Sequence, residues 1–154
     1  MTWEDIFSCC RAIAEQVKKR YGRPDVVVGI LRSGAVPAAI ISMLLEVDEV
    51  HMIRVVHYDD SMPPKEITRE PKISRFENVK AYVKGRTVLV VDDLVRSGKT
   101  LRSIVTEIKK AGARKVISAC IVLRESDEKP VMLPDIYVVR TAQCLRFPWT
   151  RTKA

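Results

Sequence analysis

A chain of 154 residues has the length of one domain and can bury a full core. Its 27 Lys and Arg against 19 Asp and Glu give a formal charge of +8, which points to an anionic partner and leaves nucleic acid, nucleotide and diphosphate open. No stretch approaches the roughly 18 uninterrupted apolar residues of a membrane span, and the opening MTWEDIFSCC carries acids where a secretory signal has a basic and then an apolar run, so a soluble cytoplasmic protein without a membrane partner is expected.

In chain order, Thr2 with Asp5 three residues on resembles an N-cap box. Trp3, Ile6, Ile13, Ala14 and Val17 then recur at helical spacing up to Lys18-Lys19-Arg20, and Gly22-Arg23-Pro24 stops the helix. Val26 to Leu31 reads as a buried strand, Gly34-Ala35-Val36-Pro37 leads into a helix through Leu45, and a second strand covers roughly His51 to Tyr58. From 59 to 85 the chain carries three prolines, little periodicity and basic residues at Lys65, Arg69, Lys72, Arg75, Lys80 and Lys84, which predicts a partly mobile loop or hairpin. A strand ending near Val91, a helix from Lys99 to about Ala111, and strands over Lys115 to Leu123 and Ile136 to Arg140 follow. Strands alternating with helices imply parallel βαβ units, hence an α/β fold with a doubly wound, mainly parallel sheet flanked by helices. The four cysteines have no CxxC spacing, and Cys9, Cys10 and Cys120 read as reduced packing residues. His51 and His57 belong to strand faces.

The stretch VLVVDDLVRSGKTL carries the chemistry. Val88 to Val91 is short, apolar and β-branched, as in a strand buried on both faces, and Asp92 and Asp93 follow at its carboxyl end. Ligands of open α/β sheets bind there. An adjacent acid pair is a metal site, a cluster around a phosphorylated aspartate, a set of acceptors for sugar hydroxyls, or an exposed acidic turn. Ser97-Gly98-Lys99-Thr100 resembles the end of a P-loop, but that motif needs glycine where Asp93 stands. What remains is a short turn whose hydroxyls and backbone N–H groups, at a helix N-terminus, can wrap a terminal monophosphate.

The stretch resembles the phosphoribosyl-diphosphate motif of the type I phosphoribosyltransferases. The resemblance implies that Asp92 and Asp93 hold the ribose hydroxyls and Mg²⁺, with Asp93 the metal residue, and that Arg96, Ser97, Gly98, Lys99 and Thr100 hold the 5′-phosphate. Gly29 to Ala38 is similar to the family's diphosphate loop, with Arg32, Ser33 and Gly34 as the binding residues and a non-proline cis peptide expected at Arg32–Ser33. The initial Thr2-Trp3, the Tyr58-Asp59 approach to the long loop and Leu145-Arg146-Phe147-Pro148-Trp149 look like the bacterial and archaeal xanthine-guanine branch. That branch implies a single domain over 1–154, a loop at 59–85 that closes over the reaction, a small C-terminal hood at 124–154, and a homodimer.

The sequence also departs from that branch. Arg96 stands where purine enzymes usually carry a proton-accepting aspartate, and an arginine cannot accept a proton at neutral pH. Arg124 stands where relatives place a lysine against the purine oxygen, and Cys144, followed by Leu145, where they stack a tryptophan. Arg124 is then either a base contact or a solvated strand-end charge, and Cys144 either a pocket residue or a small core residue. Trp149 reads as a hood anchor packed into the domain. Lys65 and Arg69 are diphosphate contacts on loop closure or a solvated basic loop. The expected activity is Mg²⁺-dependent transfer of the phosphoribosyl group from phosphoribosyl diphosphate to a nucleobase, a 6-oxopurine by preference. The alternative is a phosphoribosyl-diphosphate-binding regulator, catalytically weak or inactive, that binds nucleic acid.

Overall fold

The computed structural model describes residues 1–56 and 71–150. His57, Tyr58, Asp59, Lys65, Arg69 and the last four residues of the expected hood lie outside the described residues. Helix α1 (Trp3–Tyr21) begins as its sequence dictates: Thr2 Oγ1 accepts from the Asp5 N–H at 3.1 Å and the Asp5 carboxylate accepts from the Thr2 N–H at 2.7 Å. This reciprocal pair satisfies two N–H groups that the first turn would otherwise leave without partners.

Among the described residues, six strands form one sheet: β1 (Val26–Leu31), β2 (Val50–Val56), β3 (Lys72–Ser74), β4 (Thr87–Val95), β5 (Lys115–Arg124) and β6 (Ile136–Thr141). Their order is β3-β2-β1-β4-β5-β6, and every pairing is parallel except that of β2 with β3. The sheet is clad on both faces. Helix α1 and α2 (Ala35–Leu44) cover one face, where Ile6, Ile13, Val17 and Ile41 pack with Leu89 and Val91. On the other, α3 (Glu77–Val83) and α4 (Lys99–Lys110) place Val79, Val83, Leu101, Ile104 and Ile108 against Val88 and Val90. Successive residues of β4 thus alternate between two cores, which is why the run reads as continuously apolar.

Two boundaries differ from the sequence reading. Strand β4 does not end near Val91 but continues to Val95, so both aspartates lie within it, Asp92 opposite Cys120. Pairing with the long β5 carries the ladder past the acids. In the described part of 59–85, β3 pairs antiparallel with β2 as the hairpin alternative expects, and α3, which the sequence reading did not expect, follows it. Val79 and Val83, four residues apart on one helix face, are both buried, and β3 needs only the free edge of β2 to pair. The strand order reverses between β1 and β4, which opens a crevice at their carboxyl ends.

Candidate active site

Both sequence-selected loops open into that crevice. Residues 32–34 turn between β1 and α2, and Gly34 is packed so tightly that a Cβ there would stand 2.5 Å from the Ile30 carbonyl oxygen, 2.9 Å from that of Val91 and 3.1 Å from the Asp92 Cα. Glycine is what lets the turn rest on the backbone that carries the acids. A non-proline cis peptide is present, but it joins Leu31 to Arg32 rather than Arg32 to Ser33. The turn spans 32–34, so its cis bond lies at the strand end and not inside it. Arg32 is exposed, Ser33 half-buried and Gly34 buried.

Asp92 and Asp93 are both half-buried. The Asp92 carboxylate accepts from the Asp93 N–H at 2.9 Å, and Asp93 Oδ2 accepts from the Trp149 indole N–H at 3.3 Å. Loss of solvent pushes both carboxyls above the ordinary aspartate range, and the neighbouring Asp93 charge pushes Asp92 further. Two carboxyls in this state favour sharing a proton or a cation. Among the described residues no group of three or more His, Cys, Asp or Glu side chains could enclose a metal. The two carboxyls are the residues that could hold Mg²⁺, an ion that binds through one or two carboxylates and keeps several waters.

After Val95 the chain runs through exposed Arg96 to Ser97 and Gly98, and α4 begins at Lys99. Gly98 takes the left-handed conformation at φ 74°, and Ser97 Oγ accepts from the Lys99 N–H at 3.4 Å. The first turn of α4, with Lys99 and half-buried Thr100, thus aims its N–H groups at the crevice. The connection between β5 and β6 crosses this turn: the Val131 N–H donates to the Ser97 carbonyl at 2.8 Å, and a Cβ on Gly98 would run into the backbone of Met132.

Arg124 ends β5, and its Nη1 approaches Cys144 Sγ at 3.8 Å, so these two candidates come together. Cys144 is exposed and is not a core residue, whereas Cys9, Cys10 and Cys120 are buried. Burial pushes the Cys10 thiol up to about 12, which suits packing and not redox chemistry. Leu145 is half-buried against the α1 side of the core. Sequence reasoning missed two features: the reach of Trp149 to Asp93, and the 131–132 crossing. The tail motif singles out Trp149 but not its partner, and nothing local marks the second.

A phosphoribosyl transferase domain profile matches residues 2–149. The chain belongs to this family. It is similar to a xanthine-guanine phosphoribosyltransferase of Cereibacter sphaeroides, 30% identical over 155 residues that cover 97% of this chain and 84% of the relative. An orotate phosphoribosyltransferase of Bartonella tribocorum is 32% identical over 126 residues, covering 81% of this chain and 57% of that protein. Among solved structures, a purine phosphoribosyltransferase from Pyrococcus horikoshii Ot3 superposes with a TM-score of 0.79 at 29% identity, covering 100% of this chain and 94% of the other. The resemblance drawn from the motifs and the expected fold of a type I phosphoribosyltransferase are both borne out.

Proposed function

We propose that this phosphoribosyltransferase is a single-domain, cytoplasmic, Mg²⁺-dependent enzyme of purine salvage that moves the 5-phosphoribosyl group from phosphoribosyl diphosphate to a 6-oxopurine: hypoxanthine, guanine or xanthine. The observation that carries the reading is the meeting of the 32–34 turn, the acid pair and the Ser97–Thr100 turn in one crevice, with Gly34 against the backbone of Val91 and Asp92. The purine acceptor is supported by the xanthine-guanine and purine relatives.

In this reading the α4 N-terminus and the Ser97 and Thr100 hydroxyls hold the 5′-phosphate, and Arg96 adds an unvarying positive charge. Asp92 and Asp93 accept from the ribose hydroxyls, and Arg32 to Gly34 meet the diphosphate. When bound beside Asp93, Mg²⁺ supplies charge to stabilise the departing diphosphate. A ring nitrogen of the base bonds to C1 of the ribose as the C1–O bond breaks, and that bond's electron pair leaves with diphosphate. The protein contributes alignment of the two reactants. Arg124 and Cys144, 3.8 Å apart, together with Leu145, border the base. The ring N–H proton of the purine is released to water; Arg96 cannot take it, so proton removal does not run through position 96.

The test is diphosphate release with Mg²⁺ and phosphoribosyl diphosphate, offering hypoxanthine, guanine, xanthine, adenine, uracil and orotate separately. Turnover with an oxopurine is expected. Turnover with orotate alone would reassign the acceptor to a pyrimidine, and no release with any base from folded protein would overturn the reading.

A further inference from the structure

Phe147, Pro148, Trp149 and Thr150 form a tight turn. The Phe147 N–H donates to Thr150 Oγ1 at 3.1 Å and the Thr150 N–H donates back to the Phe147 carbonyl at 3.0 Å. The turn stacks the Phe147 and Trp149 rings, with centroids 4.9 Å apart and planes 8° from parallel, and Phe147 itself is buried. Trp3 of α1 closes on Trp149 from elsewhere, with ring centroids 5.8 Å apart. A purely structural anchor would end there. The indole also turns its one polar atom onto Asp93 Oδ2, at 3.3 Å, across a sequence separation of 56 residues.

We propose that Trp149 is a positioning residue for Asp93: it holds one carboxylate oxygen so that the other faces the ribose hydroxyls and the cation. The proposal rests on the reading of Asp93 as an acid of the phosphoribosyl-diphosphate site. Indole suits the task because it donates one hydrogen bond and carries no charge. It fixes the carboxylate without adding a positive charge that would compete with a divalent ion. Its ring is held by two aromatic neighbours, so the N–H direction is set by packing. Partners that orient metal-binding carboxylates act in this way.

The experiment uses the whole chain. Trp149→Phe keeps a stacking ring and removes the N–H. Calorimetric affinity for phosphoribosyl diphosphate with Mg²⁺ is expected to fall about tenfold or more, the scale on which such outer partners act, while the KM for the base stays unchanged. Equal affinity in Trp149→Phe and the unaltered protein overturns the proposal and leaves the transferase reading standing. An unaltered protein that binds no phosphoribosyl diphosphate overturns both, which separates the two failures. Trp3→Phe supplies a second measurement if Trp149→Phe does not fold, because Trp149 is then the only tryptophan. In ¹⁵N-labelled Trp3→Phe protein without ligand, the single indole N–H resonance is expected to shift on Asp93→Asn. A resonance indifferent to Asp93→Asn overturns the proposal.

Discussion

Asp92 sits half-buried beside a second carboxylate, an arrangement that costs stability whenever both are charged. A carboxyl held above its unfolded value binds its proton more tightly in the folded state. Its stabilising contribution is present at low pH, below the unfolded carboxyl range, and is lost as pH rises through the native value. Asp92→Asn removes that charge, so the melting temperature of the ligand-free variant should exceed that of the unaltered protein at pH 7 and converge with it toward pH 4. The same variant should bind phosphoribosyl diphosphate much more weakly by calorimetry. Gly34 is constrained in the opposite sense, by space. Gly34→Ala would press a methyl against two carbonyl oxygens of the backbone, from Ile30 and Val91, and neither can swing away as a flexible side chain would. A displacement of the turn on the order of 1 Å corresponds to about a 10²-fold loss in kcat/KM for phosphoribosyl diphosphate, measurable in steady state.

Among the elements, α1 depends on its first turn for a defined start. Thr2→Ala removes the hydroxyl that accepts from Asp5, and should cost about 1 kcal/mol in denaturant unfolding. The backbone and side-chain hydrogen bonds from Thr2 hold the Asp5 carboxyl below its usual range. Its contribution is therefore present above the unfolded carboxyl value and is lost as pH falls through the native one, so an Asp5→Asn comparison should narrow in acid. Helix α4 begins at a left-handed Gly98 that is roofed by the 131–132 backbone, which ties the phosphate turn to the β5–β6 connection. At this scale α1, β1, α4 and β5 were legible, because caps and apolar periodicity are properties of neighbouring residues. Helix α3 was not, because it is short and its buried face rests on Val79 and Val83 alone.

Over the whole molecule, the proposed function assigns the +8 charge to association with an anionic substrate. Salt screens such attraction over a Debye length of about 10 Å at 0.1 M. The KM for phosphoribosyl diphosphate should rise as NaCl increases from 20 to 300 mM, with roughly unchanged kcat, and a flat KM would assign the charge to another task. The same architecture explains why the crevice lies where it does: β1 and β4 are neighbours from which the chain winds in opposite directions, so both loops emerge side by side.

The sequence by itself determined the alternation of strands and helices, the chemical character of the acid pair and phosphate turn, and the family they resemble. Each rests on residues within a few positions of one another, where covalent geometry keeps the chemistry together. Only the tertiary structure decided that β4 runs past its acids, that the cis peptide precedes Arg32, that Met132 roofs Gly98 and that Trp149 reaches Asp93. All but the cis peptide join segments far apart in the chain, and their partners are selected by sheet order and by the packing of two aromatic rings, neither of which has a local signature.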